Sequence, residues 1–240
     1  MKIDPIVDAE GTFARVGEVF PGVESSAEWW LPFGVTLIRT ADAVILVDTG
    51  IGPKPRAFVP EPDGRLLNEL GRLGVQPDDV GVVVHTHLHV DHVGWDGFFP
   101  NARYVVHAAD WEFFMSDESL VERPHLSEKV QPLEQVELVR GEAEIVPGVE
   151  VFPTPGHSPG HMCMRAGSMI LLGDAVVHQL QVANPDMVYA SDHDTALAAA
   201  TRRRLLSRLA DEGADVIVSH FRGVGRFERA GEGFRRLAVE

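Results

Sequence analysis

The sequence predicts an α/β fold, and three observations carry the prediction. Short runs rich in Val, Ile and Leu alternate along the chain with segments of helical spacing. The composition is ordinary for a globular protein: 240 residues, 45% hydrophobic and 24% charged. Histidines and aspartates recur where the apolar runs end, which is where α/β sheets build their sites. No linker, repeat or low-complexity tract divides the chain, so residues 1–240 are read as one domain.

Residues 34–40 (GVTLIRT) and 43–50 (AVILVDTG) read as a hairpin turning at Ala41-Asp42. Asp63 is placed to cap a helix that carries Leu66, Leu67, Leu70 and Leu73 and stops at Gly74. A buried strand is expected over 81–87 (GVVVHTH), after the Pro77-Asp78-Asp79 turn, and another over 103–107 (RYVVH). Residues 108–116 have helical spacing, and the charged stretch 117–140 suits a lid or an insertion. One or two strands fall within 144–157, and 161–167 pairs with 168–174 around Gly167. The longest helix is expected over 192–211, with Asp192 or Asp194 as cap and Leu197, Leu205, Leu206 and Leu209 inward. A late buried strand (215–220) precedes a further one over 225–229.

Lys and Arg number 21 against 36 Asp and Glu, a formal charge of −15. That balance argues against nucleic acid and anionic membrane surfaces as partners; a small-molecule substrate is expected instead from the resemblance given below. No run approaches the ~20 apolar residues of a membrane helix, and the start, MKIDPIVDAEG, lacks a signal-peptide apolar region. A cytoplasmic location is expected; self-association as a homodimer is left open. The one cysteine, Cys163, permits neither an intramolecular disulfide nor a Cys-rich zinc site, and its place in an apolar run makes it core.

Eleven histidines are present, and they cluster. The sharpest segment is His85-Thr86-His87-Leu88-His89-Val90-Asp91-His92, followed by Gly94. At a strand end alternate residues face one way, so His87, His89 and Asp91 are expected to converge, with His92 brought in by a turn. Imidazoles with a carboxylate suit zinc, manganese or iron, and burying them together without a cation would be costly. His157 in Thr154-Pro155-Gly156-His157-Ser158-Pro159-Gly160-His161, Asp174 after MILLG and His220 after DVIVS each stand where an apolar run emerges.

HTHLHVDH, then TPGHSPGH, then GD, then SH resembles the metallo-β-lactamase superfamily over about residues 34–220. The resemblance implies an αββα sandwich with two divalent metal ions, zinc first and Mn2+ or Fe2+ next, at one sheet edge. It implies that His87, His89 and His157 hold one ion, that Asp91, His92 and His220 hold the other, and that Asp174 bridges them. It further implies hydrolysis of an ester, lactone or related bond by a hydroxide held between the metals, with Asp91 as its proton acceptor. Aspartate at 174, where some β-lactamases carry cysteine, matches the glyoxalase II, lactonase and phosphotriesterase-like branches. Glyoxalase II adds a C-terminal helical domain, and with only twenty residues after His220 that branch is the less expected one. Residues 173–194 and the arginines beyond resemble the methyl parathion hydrolase and lactonase branch; the quorum-sensing lactonases' tyrosine, three residues after the bridging aspartate, is here Val177. Phosphotriesterase and thioesterase activity are the alternatives within the fold, and a mononuclear iron sulfur dioxygenase is the alternative outside hydrolysis.

Substrate contacts are expected from Trp29 and Trp30, with Phe33 nearby, if their segment folds over the metal face, and from His178 and Phe221 beside the metal strands. Asp48 in VDTG is placed to orient a ligand histidine, and His161 to support the site. His85 falls one step early and reads as buried structure. His107, His125 and His193 read as surface or capping residues, and Arg202-Arg203-Arg204 as a solvated helix face.

Overall fold

The computed structural model describes residues 1–53 and 64–239. The first half of the chain runs β1 (Lys2–Arg15), α1 (Val16–Val19), β2 (Glu28–Arg39), β3 (Val44–Val47), α2 (Leu66–Arg72), β4 (Val82–Val84), β5 (Arg103–His107), α3 (Ala108–Phe114), α4 (Asp117–Glu122) and β6 (Val136–Val139). The second runs β7 (Ala143–Val146), β8 (Val149–Pro153), β9 (Met162–Ala166), β10 (Met169–Leu171), α5 (Gln179–Ala183), α6 (Thr195–Glu212), β11 (Asp215–Ile217), β12 (Gly225–Ala230) and β13 (Gly233–Ala238). Among the described residues, one sheet has the order β1-β2-β3-β4-β5-β6 and the other β13-β12-β11-β10-β9-β8-β7.

Side-chain alternation builds four layers from these two sheets. Ile45 and Val47, Val82 and Val84, Met162 and Met164, Leu171 and Ile217 meet between the sheets. Their neighbours Leu46 and Val83 face outward onto Leu66 and Leu70 of α2. Cys163, Ile170 and Val216 face outward on the other sheet, onto Leu205, Leu206 and Leu209 of α6. The result is an αββα sandwich. No helix among the described residues is long and apolar enough to cross a membrane.

Several expectations need correction. The 81–87 strand ends at Val84, so the histidine segment is a loop, turned by a bond from His92 N–H to the His89 carbonyl. The late strand likewise stops at Ile217, short of His220. The 117–140 stretch holds α4, a π-helical turn (Leu126–Val130) and β6, an integral strand paired to β5. Asp194, not Asp192, caps α6. Leu197 is exposed, because at 100° per residue it lies about 120° round the helix from Leu209. Asp63 lies outside the described residues; the first N–H of α2 is instead bonded by Asp8 of β1 (2.7 Å), which also accepts from Ile51 N–H and Trp95 Nε1–H. The long β1 and the last strand, β13, carry weak alternation and were not expected from the sequence.

Candidate metal centre

β8, β10 and β11 run parallel in one sheet, and β3 and β4 in the other. Their C-terminal ends deliver the site: Asp48 after β3, His87 to His92 after β4, His157 after β8, Asp174 after β10 and His220 after β11. Gly94 lets the histidine loop pass the backbone of residues 51 and 52, where a Cβ would sit 2.1 Å from the Ile51 carbonyl carbon.

Seven side chains meet there. His89 Nδ1 lies 3.0 Å from both His87 Nε2 and His157 Nε2. Asp174 Oδ2 lies 3.5 Å from His157 Nε2, 4.0 Å from His87 Nε2 and 3.2 Å from His220 Nε2, while Oδ1 lies 3.4 Å from His92 Nε2. Asp91 Oδ2 stands 3.7 Å from His92 Nε2 and 3.5 Å from His220 Nε2. Three groups thus bring their donor atoms within 4.8 Å: His87, His89 and His157; His87, His92 and Asp174; Asp91, His92 and His220. Donors on a tetrahedral ion at ~2.0–2.1 Å stand ~3.3 Å apart, the same scale. His92 Nε2 and Asp174 Oδ1 are buried without a hydrogen-bond partner, and both face this point. Such a donor set fits a pair of divalent cations.

The electrostatics agree. Burial and the surrounding imidazoles hold His87 and His89 well below the usual histidine range, neutral with lone pairs available. At His92 burial is opposed by the carboxylates of Asp174, Asp48 and Asp91, which favour a positive charge there, proton or metal. Three of these imidazoles are directed by a fixed partner on the other ring nitrogen. His92 Nδ1–H donates to Asp48 (2.7 Å), His157 Nδ1–H to Asp192 (2.9 Å) and His220 Nδ1–H to the Pro32 carbonyl (3.0 Å). Asp48 takes a left-handed φ of 60° and also accepts from Thr86 N–H and Oγ1–H. Although burial raises it, the His92 and His85 imidazoles bring Asp48 down to about 2. His85 is buried against Asp96 (3.0 Å).

A cavity of about 230 Å³ opens onto Asp91, His89, His157, Asp174 and His220. Phe13, Trp29, Leu31, Phe33 and Val90 form its apolar wall, and Arg123, His125, Tyr189 and Ser191 complete it. The N-terminal segment therefore does cover the metal face. The other expected contacts do not line this cavity. Trp30 is 51% exposed with the Arg222 guanidinium over its ring, because it alternates outward beside Trp29. His178 caps α5 and packs on Phe20 and Trp29. Phe221 packs toward the α6 core. His161 is buried beside the site, its Nε2 accepting from Asp174 N–H (3.0 Å). His107 caps α3, and His193 packs against Phe113.

Tyr189, stacked at 8° on His157, carries no mark in the sequence, and Asp192 is there only one of two possible caps for α6. His125, expected as a surface or capping residue, lines the cavity. The arginine triplet was misread in one member: Arg203 and Arg204 are exposed, but Arg202 is buried, since the α6 positions facing the sheet are Ala198, Thr201, Arg202 and Leu205.

Comparison with known proteins agrees with this geometry. The model of the metallo-beta-lactamase superfamily matches residues 35–220. N-acyl homoserine lactonase AiiA of Bacillus thuringiensis subsp. kurstaki is 30% identical over 213 residues, covering 79% of this chain and 81% of that protein. Among solved structures, AidC, a dizinc quorum-quenching lactonase in complex with a product, superposes with a TM-score of 0.85 at 20% identity, covering 99% of this chain and 94% of its own. An N-acyl homoserine lactone hydrolase with N-hexanoyl-L-homoserine at its catalytic metal center gives 0.73 at 25% identity, covering 91% and 92%.

Proposed function

Because the chain belongs to the metallo-beta-lactamase superfamily, we propose that it is a two-metal hydrolase acting on lactones with an acyl side chain, N-acyl homoserine lactones foremost. The observation that carries this is the convergence of seven donor side chains at one end of a cavity whose other wall is apolar. In this reading His87, His89 and His157 would hold one zinc ion and Asp91, His92 and His220 the other, with the Asp174 carboxylate close to both groups. The chemistry such a pair would supply when bound is an ionised water near neutral pH and a polarised scissile carbonyl.

The remaining work falls to the chain. Phe13, Trp29, Leu31 and Phe33 receive the acyl chain and keep bulk water from the reacting carbonyl. Asp91 is the more exposed of the two site carboxylates, its side chain at 16% against 6% for Asp174. Its carboxylate would take up the proton given up as the water ionises and return it to the alkoxide released when the ring C–O bond breaks, the water oxygen ending in the carboxylate product. Tyr189 closes the cavity over His157. The relative named as a lactonase, together with the lactonase structure holding an acyl-homoserine product, supports lactones over phosphotriesters or thioesters. The complete second group, Asp91, His92 and His220, favours two ions over a single iron.

The test is metal quantification with a turnover panel of lactones of graded acyl length, aryl esters, thioesters and phosphotriesters. Two zinc per chain, with lactones turned over fastest and activity lost on chelation, is the expected result. One iron per chain without lactone turnover would overturn the reading.

A further inference from the structure

Arg202 is 1% exposed, whereas its neighbours Arg203 and Arg204 face solvent. A buried guanidinium is costly unless its N–H groups are matched. Here Nε–H donates to the Ala175 carbonyl (3.0 Å), Nη1–H to the carbonyls of Pro185 (2.9 Å) and Met187 (3.1 Å), and Nη2–H to Asp192 Oδ2 (3.1 Å). Each acceptor leads to the site. Ala175 follows Asp174, and residues 185–192 carry Tyr189 and Ser191 of the cavity wall. Asp192, itself buried, accepts from His157 Nδ1–H through Oδ1 (2.9 Å).

An imidazole that donates from Nδ1 presents an unprotonated Nε2, and His157 Nε2 points at His89 and Asp174. Arg202 touches neither the cavity nor a metal-facing atom, so its influence is exerted through Asp192 and the loop. We propose that Arg202 is a positioning residue that, through Asp192, locks His157 in its metal-binding tautomer and fixes the 185–192 wall of the cavity. An ion pair present only for packing could be replaced by neutral residues at no loss to the site. The geometry assigns this pair a second role that such a replacement would remove.

The inference rests on the metal reading given above, and the experiment separates the two. Wild-type chain, Asp192→Asn, Arg202→Met and the double variant are each titrated with zinc against a chromophoric chelator, with thermal midpoints recorded alongside. Wild type binds two ions. Each single variant holds one ion normally and the other about 10- to 100-fold more weakly, the scale of lost support behind a ligand histidine. The single variants also melt lower, because each leaves a buried charge unpaired. Arg202→Met/Asp192→Asn removes both charges and so melts no lower than Arg202→Met alone, the three carbonyls still lacking their donor, and it does not recover the weaker site. Should the double variant bind both ions as wild type does, or Asp192→Asn leave zinc affinity unchanged, the pair is packing alone and the inference falls. Failure of wild type to bind zinc would instead overturn the hydrolase reading itself.

Discussion

The two halves of the sandwich bring their donors to the centre by opposite means. The N-terminal half places His87, His89, Asp91 and His92 within six residues of one loop. That loop is shaped by close backbone contact: Gly94 against residues 51 and 52, and Asp48 in a left-handed conformation holding Thr86 and His92. The C-terminal half takes single donors from three strand ends and aims them through long-range side-chain bonds, His157 to Asp192 and Arg202, and His220 to Pro32. A donor set concentrated in one loop depends on a backbone path that few substitutions tolerate. A dispersed set depends on several separate bonds, so its losses come one at a time.

Asp174 belongs to both arrangements, and its removal carries the largest expected effect. Its carboxylate faces His87 and His92 from one half and His157 and His220 from the other. Asp174→Ala is expected to release metal and to lower turnover by about a thousandfold or more, on the scale of losing a principal charge-stabilising group. His89→Ala, which touches one group only, is expected to lose less metal. Metal content and turnover measured together check both, and equal losses would erase the distinction between shared and unshared donors.

Gly94 tests the N-terminal mechanism directly. An alanine Cβ there would lie 2.3 Å from Gly52 N as well as against Ile51, and both are backbone atoms that cannot swing aside. Gly94→Ala should cost about 1–3 kcal/mol, or a fall of roughly 2–12 °C in thermal midpoint, with weaker zinc binding at the histidine loop. A variant that melts and binds like wild type would show that the loop is not held by this contact.

The same contrast explains what the sequence made legible. Four metal-capable residues in one hexapeptide window are conspicuous, and strand-end positions exposed His157, Asp174 and His220 in turn. The strands whose inner and outer residues alternate cleanly, such as β5 and the β9–β10 hairpin, were read nearly to their ends. Residues that act across the fold left no local mark. Asp8 is an ordinary aspartate in the weakly patterned β1 until α2, Trp95 and residues 51–52 close around it. Arg202 sits in a run of three arginines, and only the phase of α6 distinguishes the buried one. Asp192 and Asp194 are equally good caps by sequence; contact with His157 and Arg202 takes one of them for another purpose.

Cys163 offers the smallest and most specific test, because it ends a chain of bonds that leads to the centre. Asp174 N–H can only donate, so His161 Nε2 accepts (3.0 Å) and the ring proton lies on Nδ1, which donates to Thr154 Oγ1 (2.8 Å). Thr154 then turns its own proton to Cys163 Sγ (3.3 Å), and the thiol faces the Leu172 carbonyl (3.5 Å). Burial, reinforced by the His157 imidazole, pushes His161 down to about 3, in keeping with a neutral ring. Burial also pushes the Cys163 thiol up to about 12, leaving it protonated and unreactive. Native protein should therefore resist thiol-directed alkylation and take up one label per chain only when unfolded. Cys163→Ala should lower stability by about 1 kcal/mol, since it removes one terminal partner and a small volume, and should leave zinc stoichiometry at the wild-type value. In a half whose donors are held by separate bonds, loss at the far end of one chain stays local. Metal loss in this variant would mean that the C-terminal supports act as one cooperative unit, as the backbone of the histidine loop does.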